Sequence, residues 1–461
     1  MSFKTNRREL LKYMAYAGVG TALASCSPAP EPTPMAEKEP KEEKAEKEAK
    51  PAPKEQIELR YMERAGLLGD FMRHASRLYE ERNPHITVKN EPAGWGDLTQ
   101  KVPTMVAGGT MADLAFQHGA YMLPTLGKKG VWLDVTPAAE RDDHDFSIYY
   151  QWALDTCRQG PKEELVAMPM GIHAGQNELH WNVEMLEEMG VEEPNKDMSK
   201  PDLLELLVKI QENLPEGSFA TDFLYGGHFT AECHARSWGG YIVGPEREEC
   251  GFDLPETQDA LRWGYDLVQE YNVVPKREQI QEGTKDMFYA ETLATFLNCS
   301  ANVWVGFEEA VGDKFTLGHC TWPHAADEGW GTVPSCDATV IYGKTEYPDE
   351  AWGLAKLLSS FEISKWTAVS EAHMTPGAVI EAWHDEEVWE ACPPYKNCAM
   401  SWEELDDVGN IGIPGNTRRK EFDDQFNAEW QKIMYGEVEY TQEAVDKLQE
   451  DLQAIMDKPM P

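Results

Sequence analysis

Beyond its first 26 residues the chain lacks any run of 18 apolar residues, which excludes an ordinary membrane-spanning helix from its body. Positive charge is scarce. Against 81 Asp and Glu stand 42 Lys and Arg, a formal net charge of −39. Residues 1–26 carry four basic side chains and one acidic, so the remainder is near −42. Such a surface repels phosphate backbones and excludes nucleic acid as a partner. It reads as a solvated acidic exterior, with a cation store as the lesser alternative. No CxxC pair occurs among the nine cysteines, and His319, Cys320 and His324 fall short of a zinc pattern. HExxH and GxSxG are absent, and YGKT at Tyr342–Thr345 lacks the preceding glycine of a phosphate-binding loop. We expect no metal, no cofactor and no catalysis. Eighty-one acids nevertheless leave paired-carboxylate chemistry open.

What is present begins with TNRRELLKYMAYAGVGTALASC. Lys4, Arg7, Arg8 and Lys12 form a basic segment, Tyr13 to Ala24 a weakly apolar one, and small residues lead to Cys26. Basic, apolar, then small is the layout of a secretion signal. Arg7-Arg8 resembles a twin-arginine export signal, and LASC resembles a bacterial lipobox. By that resemblance Cys26 becomes the lipidated first residue of the mature protein. The next stretch, 27–56, is rich in Pro, Glu and Lys and too poor in apolar side chains to form a core, which predicts a disordered tether. Outside the membrane the other eight cysteines can form disulfides; Cys392 with Cys398 and Cys320 with Cys336 are the nearest pairs in sequence.

The body opens on IELRYM, whose alternation places Ile57, Leu59 and Tyr61 on one face of a strand. A helix follows with Phe71, Ala75, Leu78 and Tyr79 on its stripe, then a strand through Ile86 and Val88, a helix over DLTQKVPTMVAGG, and a strand at ADLAFQ. This β-α-β-α-β order argues for an α/β unit with a largely parallel sheet, whose ligands sit beyond the carboxyl ends of its strands. In SKPDLLELLVKIQENL, Ser199 and Asp202 have capping-box spacing ahead of a stripe of Leu203, Leu207, Ile210 and Leu214. YPDEAWGLAKLLSSFE and TQEAVDKLQEDLQAIM read as amphipathic helices.

Several segments in order carry a family likeness: FMRHASRLYEERNPHITVK, VPTMVAGGTMADLAFQHG, LVAMPM, LHWNVEMLEEMGVEEP, HFTAECHARSWGGYIVG, MFYAETLATFLNCSANVW and HMTPGAV. The series resembles the extracellular solute-binding proteins of ABC importers, the carbohydrate-binding family that includes maltodextrin-binding protein. Met111-Ala112 departs from the family's small residue and proline. The resemblance implies an α/β periplasmic-binding-protein fold of type II, with two lobes, hinge-crossing strands and a central cleft. It divides the chain into a signal (1–26), the tether (27–56), a first lobe (57–172 with 340–373) and a second lobe (173–339 with 374–461). The crossings are expected near Ile172–Glu178, Asp337–Tyr342 and Met374–Ala378. A cleft closing by hinge motion then presents its solute to permease subunits.

A neutral sugar needs flat aromatic walls and a few fixed polar groups. Trp95 between glycines, Trp238 before GGY, Trp304, and Trp330 in DEGWGT are the candidate stacking rings. Glu63 and Arg64 end the first strand, and Gln117 and His118 follow the third. Gln176 lies in the first crossing, and His228 stands where relatives carry a stacking aromatic. Trp263, Trp352, Trp366 and Trp430 sit on helical stripes, and His173, His180 and His234 read as structural. The expectation is a monomeric, membrane-tethered sugar receptor of an ABC importer. A receptor of the same fold for a polyol phosphate or peptide is the alternative, followed by a secreted glycoside hydrolase.

Overall fold

The structure is a computed structural model that describes residues 55–119, 122–173, 178–195, 197–222, 227–280, 283–299, 310–321, 335–370, 375–391, 405 and 414–460. The signal, the tether up to residue 54, Cys392 and Cys398 lie outside them.

The first lobe is a helix-covered sheet. Strand β1 (Ile57–Arg64) runs parallel to β2 (Ile86–Ala93) in register from Ile57↔Ile86 to Arg64↔Ala93, with α1 (Leu67–Arg82) between them. Helix α2 (Trp95–Gly108) then leads to β3 (Leu114–His118), again parallel to β1. Helix α3 (Gln151–Cys157) precedes β4 (Met168–His173). Leu59 and Tyr61 are fully buried as their alternation predicts, yet Met62 on the opposite face is buried too, because helices cover both sides of this sheet. In α1, Phe71, Ala75 and Tyr79 bury the expected stripe.

The chain then enters the second lobe. Strand β5 (Glu178–Asn182) is the middle of a three-stranded sheet, between β6 (Thr295–Cys299) and β7 (Leu317–Thr321), antiparallel to both. Helix α4 (Lys200–Asn213) begins with the expected reciprocal cap: the Ser199 hydroxyl accepts from Asp202 N, and the Asp202 carboxylate accepts from Ser199 N. Leu203, Leu207 and Ile210 are buried, with α5 (His228–Arg236) and α6 (Pro255–Gln269) beside them.

Strand β8 (Ser335–Ile341) brings the chain back. It inserts between β3 and β4, antiparallel to both, giving the order β2-β1-β3-β8-β4. Helices α7 (Pro348–Leu358) and α8 (Phe361–Val369) complete this lobe, and α9 (Arg419–Met434) and α10 (Gln442–Met456) close the second.

The expected two-lobed α/β fold is met, but the handover points shift. All of Ser335–Ile341 pairs inside the first sheet, so the second crossing falls before Ser335 rather than at Asp337–Tyr342. Residues 375–379 also stay with the first lobe. Gly377 bridges to Gly171, Val379 bridges to Tyr149, and Ala378, Val379, Trp383 and Leu405 join its core. The chain is therefore still in the first lobe at Leu405, so the third crossing does not fall at Met374–Ala378, and the first lobe is larger than the 340–373 return segment implied. The close approach of two glycines next to the Ser364 side chain, where a Cβ on Gly377 would meet Oγ at 2.6 Å, is what lets this segment lie against β4. Trp352 and Trp430 are 1% exposed and anchor the two cores, while Trp263 and Trp366 are partly buried against theirs.

Candidate functional site

Four strand ends meet on one wall of the first lobe. β1 ends at Arg64, β3 at His118 and β4 at His173, and Asp337 of the returning β8 lies in register with His118 and Gly171. The chain leaves β2 through Gly94 directly into α2, so Trp95 is the first residue of a helix and its indole stands 36% exposed. The Arg64 guanidinium lies 5.1 Å from the centre of that ring. His118 meets Trp95 edge-on at 5.4 Å, and His173 stacks beyond it, 6.2 Å from His118 at an interplanar angle of 15°.

Asp337 holds this row together. One carboxylate oxygen, Oδ2, is 2.8 Å from His173 Nε2, while Oδ1 is buried with no hydrogen-bond partner among the described residues. Arg64 Nε is likewise buried without one. A buried acceptor and a buried donor left open beside an exposed indole form a polar pair that a ligand hydroxyl can satisfy. Burial alone would raise the Asp337 pKa, but His173, His118 and Arg64 outweigh it and hold the carboxylate below its ordinary value. Desolvation lowers the Arg64 pKa, with Asp337 opposing. It also drives that of His118 down to about 3, assisted by His173, Arg419 and Arg64, so His118 is neutral at physiological pH. Arg419, which contributes to that shift, belongs to α9 and pairs there with Asp423.

Of the residues expected from sequence, Arg64, Trp95 and His118 come together here. Glu63 does not join them. It points the other way from Arg64 along the strand and is 0% exposed, with Arg73 and Asn90 on its two oxygens. Gln117 likewise turns away from His118. Its amide donates to Phe116 O at 2.7 Å, and the side chain lines a cavity of about 70 Å³ with Leu98, Val102 and Met122.

His228 opens α5 on the second lobe and is 2% exposed; its Nδ1 is 2.6 Å from Asp423 and its backbone N donates to Asn427. It packs on Phe422 and Phe426. Trp238 is half-buried beside His234 and Trp263, at 6.2 and 6.3 Å. Gln176, Trp304 and Trp330 lie outside the described residues. The acidic loop at 142–145 is internally engaged: Asp142 accepts from Trp352 Nε1 and from Lys356, and Asp145 caps Ser147 N.

Asp337 escaped the sequence reading as a site residue, and His173, read there as structural, proves to be its partner. For Asp337 a signal existed, an acid inside the apolar run SCDATVI, where strands seldom carry one. Cys320 and Cys336, one of the two nearest cysteine pairs in sequence, do not meet. Cys320 lies on β7 of the second sheet and Cys336 on β8 of the first, and the two are not bonded to each other.

Solved structures share this architecture. The ABC substrate-binding protein Lmo0181 from Listeria monocytogenes, in complex with cycloalternan, superposes with a TM-score of 0.76 at 19% identity, covering 87% of this chain and 99% of that one. The GacH receptor of Streptomyces glaucescens, solved unliganded and with acarbose, gives 0.73 at 16% identity, covering 88% and 100%. The sugar-binding protein MalE from Xanthomonas citri gives 0.72 at 14%, covering 87% and 97%. At these identities the likeness establishes the two-lobed fold. Residues 65–362 match the family model described as bacterial extracellular solute-binding protein, and the chain belongs to that family.

Proposed function

We propose that the protein is an extracytoplasmic receptor that binds a sugar or oligosaccharide between its lobes and delivers it to an ABC importer. The observation that carries this reading is the exposed Trp95 indole, set beside the open hydrogen-bonding atoms of Arg64 and Asp337. An indole face suits the CH face of a pyranose, and a donor–acceptor pair suits adjacent hydroxyls. Arg64, Trp95, His118 and Asp337 form the first-lobe contact set in this proposal. Gln176, Trp238, Trp304 and Trp330 are candidates for the remainder. The related structures with cycloalternan and acarbose support a saccharide over the alternatives.

The same proposal places a lipid anchor on Cys26, with the 27–56 segment spacing the receptor from the membrane and keeping captured solute near its permease. Calorimetry against monosaccharides and linear and cyclic oligosaccharides, read alongside tryptophan fluorescence, is the test. Saturable heat with a fluorescence change is expected for one saccharide class. Silence across the panel with a response to peptides or phosphate esters overturns the sugar reading, and release of product from any glycan overturns the receptor reading.

A further inference from the structure

The returning strand β8 carries a second feature next to its recognition carboxylate. Cys336, one residue before Asp337, is 0% exposed, and so is Cys157 at the last turn of α3. Helix α3 packs on β8, which brings the Cys157 thiol into the electrostatic surroundings of Cys336, whose Sγ donates to Asp337 O at 3.3 Å. Backbone contacts independently fix the approach. A Cβ placed on Gly119 would sit 2.4 Å from Thr156 Cγ2 and 3.0 Å from Cys336 O, so the end of α3 and the start of β8 converge on one glycine. Gly119 N also donates to Cys336 O at 2.8 Å. Of the other described cysteines, Cys250 contacts Met456 Sδ at 3.3 Å, and Cys320 lies in the other sheet.

We propose that Cys157 and Cys336 are a disulfide-forming pair that staples the base of the second lobe. Between them in sequence lie β4, β5, β6 and β7, so the bond would close the whole excursion of the chain into that lobe and back. Loops this long gain most, in the chain-entropy account, from a cross-link that restricts the unfolded chain. An extracellular family works where disulfides persist. The bond needs an oxidant, here the disulfide of a dithiol oxidoreductase or of glutathione. Two thiols lose two protons and two electrons to it, one S–S bond forms, and the oxidant's disulfide is reduced to two thiols.

Timing follows from burial. A fully buried thiol, held protonated by its surroundings, exchanges slowly, so the bond forms as the chain folds and then resists both oxidant and reductant.

The test is to refold the full chain in a buffer of reduced and oxidised glutathione, digest it without reduction, and map the peptides by mass spectrometry. The expected product is a linked pair holding Cys157 and Cys336, two hydrogens lighter than its parts, with a melting temperature about 5 °C above the fully reduced protein. Cys157→Ala and Cys336→Ala should each abolish both the link and the oxidant-dependent rise. Separate alkylation of the two cysteines after oxidative refolding overturns the proposal, as does a link from either to a different cysteine. The wild-type peptide map decides the matter even where a variant fails to fold.

Discussion

The two lobes differ in how far their candidate contact side chains are exposed: Trp95 on the first is 36% exposed and His228 on the second 2%. On the first, the strand-end wall leaves Asp337 Oδ1 and Arg64 Nε open and an indole exposed. On the second, His228 is buried against Asp423, Asn427 and two phenylalanine rings, and its Nε2 too has no hydrogen-bond partner among the described residues. Unmet hydrogen bonds cost free energy in an empty protein and return it on binding. Under the proposed function, this difference in exposure puts first contact with the solute at Trp95 and gives His228 a packing role.

Four experiments break or sharpen that contrast. Core truncations should have the largest effect. Trp352→Ala in one lobe and Trp430→Ala in the other should each cost about 3–5 kcal/mol of stability, measured by denaturant unfolding. A single shared transition for both variants means the lobes unfold together; two transitions, each moved by one variant, mean they do not. Next comes Trp95→Ala, which should weaken saccharide binding by about 1–3 kcal/mol with little change in melting, because the ring is already exposed. Unchanged affinity in calorimetry removes Trp95 from the site.

His228→Ala should show the reverse pattern. Loss of its contact with Asp423 should lower stability by about 1–2 kcal/mol while affinity stays near wild type. A tenfold loss of affinity without a stability change would dissolve the distinction between the lobes. The fourth experiment concerns pH. Burial raises the pKa of Asp222 to about 7, against hydrogen bonds from Leu297 N and Thr284. The folded state therefore holds a proton that the unfolded chain has already released above about pH 4. Its contribution to stability falls as pH rises from about 4 to about 7. Asp222→Asn should flatten the melting temperature over that window, and an undiminished slope would assign it elsewhere.

Local pattern made much of the fold legible. Alternation placed Leu59 and Tyr61, helical spacing placed Phe71 and Ala75, and the Ser199–Asp202 spacing placed the start of α4. The handovers between lobes were not legible, because nothing in Ser335–Ile341 says which sheet it joins; only long-range pairing decides. At the wall, Arg64, Trp95 and His118 could be found by looking at the carboxyl end of each strand. Glu63 and Gln117 could not be separated from their neighbours without knowing which way alternate side chains point. Asp337 and His173 become partners only because β8 inserts beside β4.

That insertion governs the order in which the molecule can be built. A ribosome delivers β3 and β4 long before the strand that belongs between them, so the early half of the chain waits with an unfilled slot in its sheet. A chain shortened before Ser335 leaves β3 and β4 without the strand that joins them, two unpaired edges of the kind that invite association.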